Sequence, residues 1–381
     1  MVNKKRLIRL TQKLISINSE NPPGRESEIA AFVKKYLKGF GINAKIYEFK
    51  KGRPNIIAVL KGENRAKSLL ISPHLDTVPA GMNWKINPFS GRIIKDKIYG
   101  LGATDCKGNL AVAIEAINSI VENKYALGCD LIFAATADEE SGSELGLLPL
   151  LKRNILKPDF ALILDSDEFD IVITQKGLIH LKARILGKRA HGAYPWRGVN
   201  AIDKAMEVIR ELKSQKFPYR KSRYLKGPTI NVGTIKGGDK VNVVADWCEF
   251  ELDLRFLPGM RAESLLQRLK EVAHKHASDF KVKIEGIQQP YFISPGHPLV
   301  LSLKKALQGF KIRASIKGSE GATVMTFFQE KRIPAIAFGF GSSGCAHMSN
   351  EYARISNLYR GAIVLEEFLR SFSTRPYCTL A

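Results

Sequence analysis

Apolar residues fall into two rhythms along the first 177 positions. Residues 55–60, 69–72, 130–137 and 160–164 form short apolar runs. Each is too short for an ordinary helix and is flanked by turn or helical sequence, which predicts buried strands of a mixed or parallel sheet. Leu7, Leu10, Leu14 and Ile17 recur at helical spacing and predict an amphipathic first helix, with further helices over 26–39 and 108–123. This part of the chain reads as an α/β domain.

From residue 178 the pattern changes. Residues 178–186 alternate as a strand, 201–213 have helical periodicity, 229–235 and 248–255 alternate again, 262–276 are helical, and 280–287 are a last strand. The order β-α-β-β-α-β is that of a small split-βαβ sandwich, predicted here as an inserted domain over 178–290. The α/β pattern then resumes with a helix over 298–309, a strand at 334–338 and a closing helix over 356–372. The larger domain is therefore predicted to be discontinuous, 1–177 and 291–381, with residues 373–381 as a loose tail.

Composition narrows the class of protein. A chain of 381 residues exceeds the size of one usual core, and 45% hydrophobic with 25% charged residues is ordinary for a globular protein. No stretch approaches the ~18 apolar residues of a membrane span, and residues 1–17 lack the apolar core of a secretion signal. The five cysteines are odd in number and form no C-x-x-C pair, so no disulfide framework is expected. The expected compartment is the cytoplasm. The formal charge is +22, from 59 Lys and Arg against 37 Asp and Glu. These cations are spread along the chain without a zinc finger or an aromatic-basic RNA motif, so the expectation is a basic surface that attracts anionic substrates, with no nucleic-acid or membrane partner.

Several predicted strands run directly into acids or histidines, at the carboxyl ends where α/β sheets bind ligands. His74 and Asp76 lie two apart on extended backbone, so an imidazole could meet a metal while the carboxylate holds its far nitrogen. Taken alone, the pair better describes a satisfied core histidine. Asp105 sits in a glycine-rich loop, residues 99–109, whose spacing fits neither a dinucleotide fingerprint nor a P-loop. Small neighbours there would let its carboxylate lie between two ions. Asp138, Glu139 and Glu140 are adjacent acids that repel one another unless cations neutralise them. Asp165 and His347 each follow a predicted strand.

These motifs, in this order, resemble the M20 metallopeptidase family, which contains acetylornithine deacetylases, succinyl-diaminopimelate desuccinylases, aminoacylases and glutamate-releasing carboxypeptidases. The resemblance runs from the first helix to the last. It implies a zinc-peptidase-like α/β catalytic domain with a ferredoxin-like insert serving as dimerisation and lid domain. It implies that His74 and Asp165 bind one metal, that Glu140 and His347 bind the other, and that Asp105 bridges them. Glu139 would be the general base, Asp76 would orient His74, and a cis peptide would join Asp105 to Cys106. In the insert, His191 matches the family's lid histidine and Asn242 a substrate-holding asparagine. Arg255 matches an arginine that pairs with a substrate carboxylate, a task suited to a planar guanidinium. The chain departs from the pattern at Leu101, where an arginine is frequent, at Cys106, and at Glu320, which resembles acetylornithine deacetylases more than desuccinylases.

A nitrogen and oxygen donor set without thiolate suits two zinc ions, with manganese or cobalt as alternatives. Two such ions, about 3.5–4 Å apart, can hold a hydroxide and polarise a carbonyl, with Glu139 moving the proton to the leaving amine. The expected function is hydrolysis of the amide bond of an N-acyl amino acid or small peptide with a free carboxylate. A di- or tripeptide aminopeptidase is the alternative. A non-catalytic binding protein would be expected to lack a ligand or Glu139, and this chain keeps them all. A homodimer through the insert is implied by the His191 and Asn242 motifs.

Overall fold

The computed structural model describes residues 1–372, so the expected tail and Cys378 lie outside the described residues. The chain opens with helices α1 (Lys4–Ser16) and α2 (Glu26–Lys38), then strands β1 (Ala44–Glu48), β2 (Pro54–Leu60) and β3 (Asn64–Ser72). Short β4 (Arg92–Ile94) and β5 (Lys97–Tyr99) lead to α3 (Lys107–Glu122), β6 (Cys129–Ala135), α4 (Leu147–Lys152), β7 (Phe160–Ile163) and β8 (Asp170–Gln175). Next come β9 (Gly177–Leu186), α5 (Ala201–Ser214), β10 (Thr229–Gly237), β11 (Trp247–Phe256), α6 (Ala262–His276) and β12 (Phe280–Gln288). The chain continues through β13 (Tyr291–Phe292), α7 (Pro298–Gly309), β14 (Ser315–Ser319), α8 (Met325–Glu330), β15 (Ala335–Ala337), β16 (Tyr352–Arg354) and α9 (Ile355–Ser371).

These elements form two compact units. Of the described residues, the first comprises Met1–Ile173, Ile293–Lys317 and 327–372; the second comprises Thr174–Phe292 and Gly318–Thr326. The sequence places everything after 290 in the larger domain, whereas Gly318–Thr326 group with the second unit. The cause is a set of polar clasps. The Gln175 amide oxygen accepts from Thr323 N at 3.0 Å and Thr323 Oγ1 at 2.7 Å. Buried Lys176 donates to Gly227 O at 2.6 Å and pairs with Glu320 at 2.5 Å.

In the first unit the sheet order is β1-β2-β6-β3-β7-β15-β8. The pairs β6–β3, β3–β7 and β7–β15 are parallel, while β1, β2 and β8 add antiparallel edges. The sheet is mixed, and its parallel centre reads as continuous apolar sequence because both faces are covered. Helix α3 is buried at every residue from Lys107 to Ile120, including the polar Lys107, Asn109 and Glu115, each of which has a hydrogen-bond partner. α1 shows the opposite pattern, with only Leu7, Leu10, Thr11, Leu14 and Ile15 buried.

The second unit is an antiparallel sheet of order β10-β11-β9-β12 carrying α5 and α6. Alternation dictates its core: Ile179, Leu181, Ala183 and Ile185 of β9 and Phe250, Leu252, Leu254 and Phe256 of β11 point to one side. Ala201, Ala205, Val208 and Leu212 of α5, with Leu265, Leu269 and Val272 of α6, close over them. Each fully buried Leu or Phe contributes about 1.5–3 kcal/mol. Asn200 caps α5 by accepting from Ile202 N at 3.0 Å. No helix among the described residues is long and apolar enough to cross a membrane.

Candidate metal centre

The strands of the first unit's parallel centre deliver the candidate ligands at their carboxyl ends. Beyond β3 and β6 the pairing continues, with Leu75 N donating to Thr136 O at 2.7 Å and Thr136 N to Pro73 O at 3.2 Å. His74 is thereby held at 2% exposure. Asp165 follows β7, and His347 lies beyond β15 in a loop where it adopts φ 60°. Asp105 ends the glycine-rich loop ahead of α3, and its peptide bond to Cys106 is cis.

Two groups of donor atoms result. His74, Asp105 and Asp165 form one, and Asp105, Glu140 and His347 form the other, the chosen donors in each lying within 4.8 Å of one another. Asp105 belongs to both. Its Oδ1 lies 2.9 Å from His74 Nε2 and its Oδ2 lies 3.2 Å from His347 Nε2. His347 Nε2 also stands 3.1 Å from Glu140 Oε2.

This arrangement is short of positive charge. Burial, then the Asp105 charge, pushes Asp165 up to about 7. Burial, then Asp165, holds Glu139 well above the usual carboxylate range. Hydrogen bonding to Asp105, then to Glu140, raises His347 to about 10. Glu140 Oε1 is buried without a hydrogen-bond partner, an expensive state for a carboxylate oxygen unless a cation answers it. The donors are nitrogen and oxygen, so the residues present fit two divalent cations that share Asp105. Cys106 is not part of the set: its thiol donates to Leu164 O at 3.0 Å, and burial pushes it up to about 11.

The supports of these side chains differ from the sequence expectation. The hydrogen-bond partner of His74 Nδ1 is the main-chain carbonyl of Asp76, at 3.0 Å, while the Asp76 carboxylate stands 3.5 Å away. That carboxylate instead accepts from Asn21 Nδ2 at 2.9 Å and from the amides of Glu139 and Glu140, each at 3.1 Å. The three adjacent acids also divide. Glu140 enters the donor set, whereas Asp138, at φ 66°, turns to Arg53 at 2.8 Å. The same guanidinium holds buried Glu26 at 2.7 Å, so a cation from this chain neutralises Asp138. Asn21, Arg53, Glu26 and Glu351 went unassigned in the sequence; only Glu351, close after His347, carries a local signal.

The remaining candidates belong to the second unit. His191 is bridged to Val243, and Gly192 N donates to Asn242 O at 2.8 Å, so the His191 and Asn242 segments run side by side. His191 Nδ1 accepts from Ala193 N at 3.0 Å. Arg255 on β11 makes a forked pair with Asp253 at 2.7 and 2.9 Å. Glu320 is engaged by Lys176 and by Lys226 N at 2.8 Å, which gives it a structural task. His180 faces Asp253 at 3.5 Å, and His276 pairs with Glu211 at 2.6 Å.

The chain is similar to known proteins over most of its length. The sequence profile described as peptidase family M20/M25/M40 matches residues 70–371. An uncharacterized metallohydrolase of Methanocaldococcus jannaschii is 31% identical over 95% of this chain and 98% of its own. An acetylornithine deacetylase of Aliivibrio fischeri is 30% identical over 91% of each chain. A tripeptidase of Staphylococcus aureus superposes with a TM-score of 0.81, at 25% identity, over 97% of this chain and 98% of its own.

Proposed function

The chain belongs to peptidase family M20/M25/M40, and from that premise we propose that it hydrolyses the amide bond of an N-acyl amino acid or small peptide carrying a free carboxylate. One of its relatives is named a metallohydrolase and another an acetylornithine deacetylase. The observation that carries the finer reading is the pair of donor groups sharing Asp105, with Glu139 near enough to feel the charges of Asp165, His74, Glu140 and Asp105.

In this reading His74 and Asp165 hold one ion, Glu140 and His347 the other, and Asp105 serves both. Zinc is the proposed metal, with cobalt or manganese as alternatives. When bound, such ions supply Lewis acidity toward a carbonyl oxygen and lower the pKa of water. Glu139 takes the proton of the attacking water and passes it to the leaving amine. A carboxylate whose proton affinity is raised by burial and by Asp165 suits both halves of that transfer. Asp76 fixes where Glu139 stands, through the Glu139 amide.

Arg255 pairs with the substrate carboxylate and Asn242 helps hold the substrate. His191, whose Nδ1 already accepts a hydrogen bond, keeps its proton on Nε2 and donates it toward the developing oxyanion. The enzyme acts as a homodimer through the second unit, in the cytoplasm.

Likeness to the Aliivibrio fischeri deacetylase favours deacylation. Likeness to the Staphylococcus aureus tripeptidase favours a second reading, removal of a residue from di- or tripeptides. One experiment tests both: metal content by mass spectrometry, with hydrolysis of N-acetyl amino acids and of di- and tripeptides before and after chelation. Two zinc per chain and chelator-sensitive, metal-restored hydrolysis are expected. Absence of metal-restored hydrolysis across the panel would overturn the proposal.

A further inference from the structure

We propose that Glu351 is a positioning residue that couples the two donor groups, holding Asp105 in register with His347. The inference rests on the two-ion reading above. Glu351 is 2% exposed. Its Oε1 accepts from Thr104 N at 2.7 Å and Asp105 N at 3.0 Å, and its Oε2 accepts from Gly102 N at 2.9 Å. One carboxylate therefore gathers three amides of the loop that ends on Asp105. Three backbone amides of one short loop converge on this single side chain, so the path of the loop is set by Glu351.

Glu351 follows His347 in the loop that carries it. That loop is joined to the Asp105 loop at further points. Gly100 N donates to Glu351 O at 2.9 Å. Thr104 Oγ1 donates to Tyr352 O at 2.8 Å and accepts from Ser342 N at 3.0 Å. The segment from Ser342 to Tyr352 is thus fastened near both ends to the residues that place Asp105. Because Asp105 is common to both donor groups, displacing its backbone disturbs both ions together. Removing a ligand that belongs to one group would loosen only one.

The test uses full-length protein loaded with zinc and dialysed against a graded series of chelator, with zinc per chain measured at each step. Glu351→Gln keeps the size of the side chain but puts an amide NH2 where Gly102 N needs an acceptor. It is expected to release both ions in one step at a free-zinc level about 10–100-fold higher than wild type. Thr104→Ala is expected to shift the curve the same way, and Thr104→Ser, which keeps the hydroxyl, to restore it. Wild-type release curves in both Glu351→Gln and Thr104→Ala would overturn the inference. Should Glu351→Gln fail to fold, the two Thr104 variants decide, since identical curves for alanine and serine overturn it equally. Wild type that holds two zinc ions but hydrolyses no amide would sink the proposed function while leaving the release curves to judge Glu351. Wild type without zinc would overturn both.

Discussion

Asp76 Oδ1 accepts the main-chain amide of Glu139 at 3.1 Å. The residue two positions after one candidate ligand thereby sets the position of the candidate base, on a different strand end. Glu139 and Glu140 share this one carboxylate as a reference point, while His74 meets the main-chain carbonyl of the same residue.

Asp76→Asn should therefore do more than loosen an imidazole. Asn21 and two backbone amides all donate to Asp76, and an asparagine offers one acceptor oxygen in place of two. The expected result is a kcat lower by about 10–100-fold with weakened metal retention. Steady-state kinetics beside zinc content measure it, and wild-type values for both would count against the role.

Glu139→Gln removes the proton acceptor but none of the donors in either group. Two zinc ions should remain while kcat falls by about 10²–10⁴-fold. A variant that keeps its ions and retains most of its kcat would take Glu139 out of the proton transfer.

Ion counts should separate the ligands. Asp165→Ala and His347→Ala each dismantle one donor group, whereas Asp105→Ala dismantles both. Native mass spectrometry is expected to find one zinc in each of the first two variants and none in the third. Two ions in Asp105→Ala would exclude a shared ligand.

Arg53 answers two buried acids, and its own side chain is 8% exposed. Arg53→Ala leaves Glu26 and Asp138 without their partner and should cost about 3–5 kcal/mol of folding stability. Urea unfolding followed by circular dichroism checks this. A loss below about 1 kcal/mol would mean that neither carboxylate depends on Arg53 for neutralisation.

The parallel strands were legible in the sequence because their apolar runs are dense and their ends carry acids and histidines, as at Ile71–Ser72 before His74. The second unit was legible because alternation runs from Ile179 to Leu186 on β9 and over all ten residues of β11. What escaped were contacts between polar residues far apart in the chain. Glu26 opens a helix, where an acid is favoured on local grounds, so nothing marks it as buried beneath Arg53. The Asp76 carboxylate looked committed to His74 because the main-chain alternative, its own carbonyl, leaves no trace in residue identity. Glu320 stood out only as a likeness to acetylornithine deacetylases, and nothing in the sequence marks its pairing with Lys176. Strands as short as β4, β5 and β16 carry too few residues to declare a period.

The clasp between Lys176 and Glu320 also bears on how this architecture can be cut and recombined. Residues 174–292 are contiguous in the gene, yet the second unit takes nine further residues from beyond its apparent end, Gly318–Thr326. An excised fragment ending at 292 would carry Lys176 without its carboxylate and Gln175 without Thr323. Grafting residues 174–292 onto another scaffold as a cassette would therefore leave part of the second unit behind, so a transplant of this unit has to bring Gly318–Thr326 with it.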